Sequence, residues 1–174
     1  ATTMTAGDSL ALDAPGLPTL HVPAALARAS VRVWNDTVDA RDCGDAAAEW
    51  ISAALERPAR LVHLPDDSVR PVPPPYGEPG DQVAFSDALP WLLLTRASVD
   101  DLNARLDEPV PVERFRPNLV IDGADPYAED TWRRIRIGGP DGLELHDVKP
   151  CARCVVTTTD QATGARGKEP LRTL

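Results

Sequence analysis

The sequence predicts an α+β fold that combines mostly antiparallel strands with two helices. Three observations predict this class. Polar and apolar side chains alternate in the first half as in a strand, and apolar residues recur at spacings of three and four in two helical segments. Several further strand candidates in the second half are separated by Gly, Pro and Asp. With 174 residues, 43% of them apolar, the chain can bury a core of one domain or slightly more.

Strands precede a helix in the first sixty residues. Short apolar pieces among Gly and Pro before residue 23 predict strands joined by turns, and residues 30–34 alternate at period two, as in a strand with one buried face. The period then changes, and we expect Asp45 to cap a helix that ends near Pro58. Its apolar stripe comprises Ala47, Trp50, Ile51, Ala54 and Leu55.

A long loop follows the next strand candidate. Residues 60–64 are typical of a buried strand, and residues 65–84 then contain six prolines and two glycines. Loops of this length are often functional covers, but a plain surface excursion is the commoner case. Both interpretations stay open for this loop.

The second half begins with a strand and a helix. Residues 92–95 predict a central strand after Pro90, and Ser98 with Asp101 forms a capping box that opens a helix closed by residues 107–109. Its buried face comprises Val99, Leu102 and Leu106. Four more strands are predicted at residues 118–121, 134–137, 143–145 and 155–158.

Composition excludes some functions. Eighteen basic and twenty-seven acidic side chains give a net charge of −9, and the basic ones are scattered, which argues against nucleic-acid binding. The chain has no run of eighteen apolar residues and no secretory signal, so we expect a soluble cytoplasmic protein without a membrane segment. It starts without Met and stops at Leu174 without a polar tail, so we expect it to be truncated at both ends.

Two neighbouring cysteines, Cys151 and Cys154, carry the strongest local signal. A redox pair needs a helix after the cysteines, and five β-branched residues at 155–159 disfavour one. A zinc site needs a second ligand pair, which Cys43 and three scattered histidines do not supply. The third interpretation is a single soft thiolate bound to a transition metal. Spacing alone does not choose between a metal ligand and an ordinary packed cysteine.

Four motifs resemble those of MOSC proteins in order and spacing. They read ERFRPNLVI (residues 113–121), YAEDTW (127–132), CARC (151–154) and TDQATG (159–164). The resemblance is to the branch that contains the mitochondrial amidoxime-reducing component and its bacterial relatives, and it runs from about residue 30 to the end. Within this branch we expect a protein of bacterial type. It implies a barrel-like MOSC fold with flanking helices. Residues 1–60 would be the C-terminal part of the N-terminal β-barrel domain, and residues 61–174 a MOSC domain incomplete at its C-terminus.

The resemblance implies a molybdenum cofactor with Cys154 as the thiolate ligand of the metal. A metal held by pterin sulfurs accepts one more soft ligand well, and we expect Cys154 to stand at a strand start with Cys151 packed beside it. The same resemblance assigns Arg116, Asn118 and Arg153 to the cofactor. Guanidinium groups can bind its phosphate bidentately, and the Asn118 amide can bond to the pterin edges. For Arg116 the alternative is a surface ion pair with a neighbouring acid, Glu113 or Asp130.

Further residues are carried over from the family. Asp125 matches an acid near the metal and is our candidate for proton relay, although an Asp before Pro126 also suits a plain turn. Ser86, Asp87 and Thr95 lie in the segment that the family uses near the pterin, and the resemblance implies that they contribute hydrogen bonds there.

The implied function is reduction of N-hydroxylated compounds such as amidoximes, with electrons from a ferredoxin-like or flavoprotein partner or from a 2Fe–2S module beyond the chain. One alternative is a domain of the molybdenum-cofactor sulfurases, which would be linked to pyridoxal phosphate. The two lysines, Lys149 and Lys168, do not stand in a recognisable Schiff-base setting. Another alternative is a noncatalytic metal-binding domain.

Overall fold

The computed structural model describes residues 3–5, 10–22, 27–147 and 149–174. Part of the strand-and-turn stretch predicted before residue 23 lies outside the described residues. The chain divides into two compact units, Ala1–Ala88 and Leu89–Leu174. Each unit is built around its own short sheets.

The described part of the first unit contains one helix and two antiparallel sheets, ordered β1-β2-β3 and β4-β5-β6. The strands are β1 (Thr3–Thr5), β2 (Ala11–Asp13), β3 (Leu20–His21), β4 (Ala27–Val33), β5 (Asp36–Asp42) and β6 (Val62–His63). Helix α1 (Asp45–Leu55) lies between β5 and β6 in sequence. The alternating segment therefore forms a strand as predicted, and β5 presents Val38 and Ala40 to the core. The strand predicted at 60–64 shortens to two residues.

Helix α1 is capped differently from our prediction. Gly44 is the N-cap, at a φ of 87° that favours glycine, and Asp45 is the first helical residue. The prediction that Asp45 caps the helix is wrong, because the Asp45 side chain pairs with Arg60 at 3.0 Å. The Asp42 side chain accepts a hydrogen bond from the Gly44 amide at 2.7 Å. The predicted stripe is correct at Ala47 and Trp50, which are buried, but not at Leu55, which is 48% exposed.

The second unit places two strands in parallel and two in a hairpin. Strand β7 (Leu93–Thr95) pairs in parallel with β8 (Leu119–Ile121), and β9 (Arg134–Ile137) pairs antiparallel with β10 (Leu143–His146). Helix α2 (Arg96–Asn103) follows β7 directly. Three short 3₁₀ helices span Val112–Phe115, Ala128–Thr131 and Val155–Thr158. The core consists of Leu94, Val99, Leu102, Val110 and Phe115.

Helix α2 begins two residues before the predicted start. Thr95 is the N-cap, because its extended backbone lets its hydroxyl accept the amide of Ser98 at 3.2 Å. Ser98, predicted to open the helix, lies inside its first turn. The predicted face of Val99 and Leu102 is buried as expected.

The strand predicted at residues 155–158 is wrong. Thr157 and Thr158 donate their hydroxyls to the carbonyls of Cys154 and Val155, at 2.9 and 2.8 Å, which tightens the chain into a 3₁₀ turn. Cys154 is therefore the N-cap of this turn and does not stand at a strand start.

The mixed, mostly antiparallel α+β class is confirmed, but the barrel is not found. In the part of the chain that the structure describes, the strands form four separate sheets of two or three strands, and none closes on itself. A barrel needs continuous pairing around a ring, which such short sheets do not provide. Among the same residues, no helix has both the length and the apolar character to cross a membrane.

The core of the second unit provides a test of packing. Leu102 is 2% exposed, so Leu102→Ala should lower the free energy of unfolding by about 2–5 kcal/mol. Leu143, on the same unit, is 58% exposed, and Leu143→Ala should cost less than about 1 kcal/mol. Chemical denaturation of both variants measures the difference, and equal losses would contradict the assigned core.

Candidate functional site

Three of the four sequence motifs meet in the second unit. Arg114 donates to Asp160 at 3.0 Å, and Gln161 donates its amide to the carbonyl of Glu113 at 2.9 Å. The Arg153 guanidinium lies 5.3 Å from the centre of the Phe115 ring, within range of a cation–π contact. The ERFRPN, CARC and TDQATG segments are thus joined by direct contacts.

Asp160 organises the loop that follows the cysteines. Hydrogen bonds from the side chain and backbone of Thr163 and from the backbone of Ala162, with the nearby Arg114 charge, lower the pKa of this carboxyl despite some burial. The loop therefore carries a stable negative charge against Arg114, whose side chain is 11% exposed.

Cys154 presents a free thiol at the surface of this cluster. Its carbonyl accepts the amide of Thr157 at 3.1 Å and the Thr157 hydroxyl at 2.9 Å, so the backbone at Cys154 is fixed while the side chain stays accessible. Cys151 is also exposed, instead of packing beside Cys154 as we expected. Cys43 is buried in the first unit, where burial raises the pKa of its thiol.

Arg116 stands one residue after Phe115, with a left-handed φ of 55°. Its guanidinium makes no hydrogen bond or ion pair with any residue that the structure describes, so the alternative of a pair with Glu113 or Asp130 is not formed. Among the described residues, Arg153 is likewise engaged only through its contact with Phe115. The cluster therefore holds two guanidinium groups that have no carboxylate partner among the described residues.

Asn118 has a clear structural role. Its side-chain oxygen accepts a hydrogen bond from the backbone amide of Leu92 at 2.9 Å, and the backbone amide of Asn118 donates to the Leu92 carbonyl at 2.8 Å. These bonds fix the start of the parallel pairing between β7 and β8. The side-chain nitrogen of Asn118 is not used in them.

A buried hydroxyl network lies at the end of β7. The carboxylate of Glu129 accepts the amide and hydroxyl of Thr95, both at 2.9 Å, and the hydroxyl of Ser98 at 2.9 Å. Burial alone would raise the pKa of Glu129, but these hydrogen bonds together lower it. Thr95 is fully buried, so it is placed within the protein rather than facing solvent.

The same network fixes the loop that carries Asp125. Tyr127 donates its amide to Ser98 at 2.7 Å and has a left-handed φ of 61°, and its hydroxyl donates to Asp101 at 2.7 Å. The carboxylate of Asp125 is exposed and makes no hydrogen bond with the described residues. Our sequence reasoning missed Glu129, although the YAEDTW motif contains it. A glutamate inside a quoted motif, one turn after Asp125, was the available signal.

Ser86 and Asp87 belong to the first unit. The carboxylate of Asp87 accepts the indole N–H of Trp34 at 3.1 Å. The hydroxyl oxygen of Ser86 is buried and has no hydrogen-bond partner among the described residues. Ser86 therefore has hydrogen-bonding capacity that the described protein groups do not use.

Other features do not compete with this cluster as metal sites. A cleft of about 280 Å³ in the second unit is lined by Asp130, Arg133, Asp147, Lys149 and Pro150, none of which we predicted as a site residue. Within the described ranges, no group of three or more His, Cys, Asp or Glu is placed to bind a metal ion. A structural zinc site therefore finds no support there.

Family models match nearly the whole chain. The model of the MOSC domain matches residues 80–174, and the model of the MOSC N-terminal beta barrel domain matches residues 1–58. The chain belongs to the MOSC family. The three joined motifs and Cys154 all lie inside the segment matched as the MOSC domain.

Individual relatives agree with the branch that we identified. This MOSC chain is 43% identical to the mitochondrial amidoxime-reducing component 1 of Homo sapiens, over 97% of its length and 52% of the relative. It is 46% identical to component 1 of Danio rerio, over 82% of the chain and 45% of the relative. It is 37% identical to component 2 of Bos taurus, over 96% of the chain and 52% of the relative. The chain thus spans about half the length of these curated relatives.

Two expectations from the sequence are corrected by these relatives. We expected a cytoplasmic protein of bacterial type, but the relatives are eukaryotic proteins named as mitochondrial. The cytoplasmic location is wrong because it was inferred from the lack of a signal segment within these 174 residues. The composition of a domain does not indicate the cellular location of the protein that contains it.

The Glu129 network predicts a pH dependence. Glu129→Gln should lower the free energy of unfolding at pH 7 by about 1–3 kcal/mol, because an acceptor of three hydrogen bonds is replaced by an amide. Since folding lowers the pKa of Glu129, its contribution is complete above its ordinary value of 4.5 and is lost as pH falls through the folded-state pKa. The difference in free energy of unfolding between parent and variant should therefore shrink as the pH falls below 4.5.

Denaturation curves of both proteins across this pH range measure that difference. Effects of other carboxylates are common to both proteins and cancel. Glu108→Gln, at an exposed position of the same unit, is the matched control and should cost almost nothing. A Glu129 difference that stays constant down to low pH would disprove the assigned role of the ionised carboxylate.

Proposed function

We propose that this protein is a molybdenum-cofactor oxidoreductase that reduces N-hydroxylated compounds such as amidoximes, with Cys154 as the thiolate ligand of the metal. The observation that carries the proposal is the exposed Cys154 thiol on a backbone joined to the Arg153 and Arg116 segments. Family membership and relatives named as amidoxime-reducing components support the reaction class. The division into residues 1–60 and 61–174 remains part of the proposal.

The donor set fits such a cofactor. A thiolate is a soft ligand that suits molybdenum, and the Cys154 thiol is accessible. Arg116 and Arg153 have no carboxylate partners among the described residues, so their guanidinium groups are available for a phosphate. In a chain with a net charge of −9, unneutralised arginines at one cluster favour an anionic ligand.

Other residues have supporting roles in the proposal. Asn118 retains a free side-chain nitrogen for pterin edges, and Ser86 retains its buried hydroxyl. Asp87 is held by Trp34, so its carboxylate has a fixed direction. Thr95 is fully buried and bonded to Glu129, so we assign it to support of the loop in addition to the pterin contact carried over from the family.

When bound, the molybdenum cofactor supplies the two-electron chemistry of the reduction. Cys154 anchors it from a backbone that Thr157 holds fixed. Asp125 is the candidate relay of a proton to the departing oxygen, and its exposed carboxylate lies on a loop fixed by Tyr127 and Ser98. Arg116 and Arg153 orient the anionic end of the cofactor.

The partners follow from the reaction. A small N-hydroxylated substrate and an electron donor, ferredoxin-like or flavoprotein, are required, and a 2Fe–2S cluster elsewhere in the intact protein is an alternative source of electrons. The sulfurase role, with its link to pyridoxal phosphate, is not favoured, because the relatives are named for amidoxime reduction.

Replacement of Cys154 tests the proposal. In protein produced from the complete gene, in cells that make the cofactor, Cys154→Ser should abolish amidoxime reduction and lower the molybdenum content by about tenfold or more. The fold should survive because the side chain is exposed. Metal and pterin per chain, activity and circular dichroism measure these effects.

Cys151→Ala is the matched control, since Cys151 is equally exposed and three residues away. It should be milder on every readout. Full activity in Cys154→Ser would refute the ligand assignment, and loss of metal from Cys151→Ala alone would reverse the two roles. Zinc instead of molybdenum in the parent protein would refute the proposed function.

Replacement of Asp125 separates proton transfer from cofactor binding. Asp125→Asn should lower kcat by about 10²–10⁴-fold while molybdenum content stays at the parental level. Asp122→Asn is a useful control on the same loop, since Asp122 forms a surface pair with Arg96 at 2.7 Å. An unchanged kcat in Asp125→Asn would leave Asp125 as a turn residue only.

A further inference from the structure

Two short turns of the second unit carry the candidate ligands of the metal and of the phosphate. Cys154 is the N-cap of the 3₁₀ helix Val155–Thr158. Arg116 ends the 3₁₀ helix Val112–Phe115 in a left-handed conformation, which persists in a residue other than glycine only where the surroundings hold it. The placement of Cys154 relative to Arg116 therefore depends on the contacts that join these two turns.

Two consecutive side chains, Asp160 and Gln161, join the loop after the second turn to the first turn. The carboxylate of Asp160 accepts a hydrogen bond from Arg114 at 3.0 Å. The side-chain amide of Gln161 donates to the carbonyl of Glu113 at 2.9 Å, and the same carbonyl accepts the backbone amide of Arg116 at 3.0 Å. The loop thus contacts the first turn at the hydrogen bond that holds Arg116 in place.

The Asp160 carboxylate has a fixed position within its own loop. It accepts the backbone amides of Ala162 and Thr163, at 3.1 and 2.8 Å, and the Thr163 hydroxyl at 2.9 Å. The backbone amide of Asp160 donates to the carbonyl of Ala165 at 2.9 Å, and its carbonyl accepts the amide of Gly164 at 2.8 Å. The guanidinium that pairs with this carboxylate is therefore held against an ordered loop.

The burial of Arg114 is better explained by geometry than by stability. Its side chain is 11% exposed, and its Nε is buried without a hydrogen-bond partner among the residues that the structure describes. A buried donor without a partner lowers stability, because the water that it loses is not replaced. The pair with Asp160 nevertheless fixes where the first turn meets the loop that follows Cys154.

We propose that Arg114 is a positioning residue for the cofactor: through its pair with Asp160, supported by Gln161, it sets the separation between the Cys154 sulfur and the Arg116 guanidinium. This inference rests on the proposed function, which assigns Cys154 to the metal and Arg116 to the phosphate. Metal and phosphate belong to one bound molecule, so the groups that bind them must be held at a matching separation. All five residues lie in the second unit.

The test uses protein from the complete gene, produced in cells that make the cofactor. It compares Arg114→Met, Arg114→Lys and Gln161→Leu with two controls of the same unit. Arg172→Met removes an exposed ion pair, that of Arg172 with Glu169 at 3.0 Å. Leu102→Ala lowers the stability of the core without removing any contact of the two turns described above.

Two readouts are needed, and neither depends on activity. Molybdenum and pterin per folded chain report cofactor retention. Hydrogen exchange of residues 114–116 and 159–165 reports the order of the joined segments, with the amides of β9 and β10 as internal reference.

In Arg114→Met, exchange of the joined segments should accelerate by about tenfold or more, and cofactor content should fall by about tenfold. Arg114→Lys keeps a charge for Asp160 but lacks the planar guanidinium, so it should restore part of both values. Gln161→Leu should shift both in the same direction as Arg114→Met, by a smaller factor. Arg172→Met should match the parent, and Leu102→Ala should keep its cofactor although it is less stable.

Parental cofactor content in a folded Arg114→Met would overturn the inference, whatever the change in exchange. An equal loss of cofactor in Leu102→Ala would overturn it too, because lower stability would then explain both variants. Should Arg114→Met fail to fold, Gln161→Leu decides, and parental cofactor content in that variant overturns the inference. A parent protein without molybdenum and pterin would refute the proposed function and this inference with it. A parent that holds the cofactor no better than the variants would refute the positioning role alone.

Discussion

The second unit depends on one carboxylate, that of Glu129, which accepts hydrogen bonds from Thr95 and Ser98 at the point where β7 becomes α2. A half-buried charge is stabilised where hydrogen-bond donors replace the water that it loses, and three donors do so here. Because the Ser98 hydroxyl also accepts a hydrogen bond from the Tyr127 amide, the Glu129 carboxylate helps to fix the loop that precedes Tyr127. The loop that carries the candidate proton donor is thus held from inside the protein.

A related arrangement occurs in the first unit with the charges reversed. Arg70 is a buried cation whose partners are one carboxylate and three backbone carbonyls. Both units therefore use an ionic group that lies at least partly inside the protein and forms several hydrogen bonds to order a neighbouring loop. Loss of either group would leave several polar atoms of its neighbours without these partners, and this cost makes each loop conformation specific.

Sequence patterns predicted the elements whose side chains follow a simple period. The alternation at 30–34 and the apolar face of Val99 and Leu102 gave a correct strand and a correct helix face. The sequence patterns failed where a side chain bonds to the backbone of a residue three positions away. Thr95 caps α2 in place of Ser98, and the hydroxyls of Thr157 and Thr158 stabilise a 3₁₀ helix in a run of β-branched residues. The role of Glu129 was missed because its three donors are about thirty residues away in sequence.

The candidate site shows a division between groups that are satisfied and groups that are not. Asn118, Thr95 and Asp87 all bond to protein partners, which fixes their positions. Cys154 and Arg116 are left without such partners among the described residues, although Thr157 bonds to the Cys154 carbonyl and the neighbours Arg114 and Arg153 contact Asp160 and Phe115. Fixed backbone with uncommitted side chains is the arrangement that binds a ligand at low entropic cost, since little remains to be ordered when the ligand arrives. The resemblance suggested the residue types, and the contacts of the described residues show which of these side chains have protein partners and which do not.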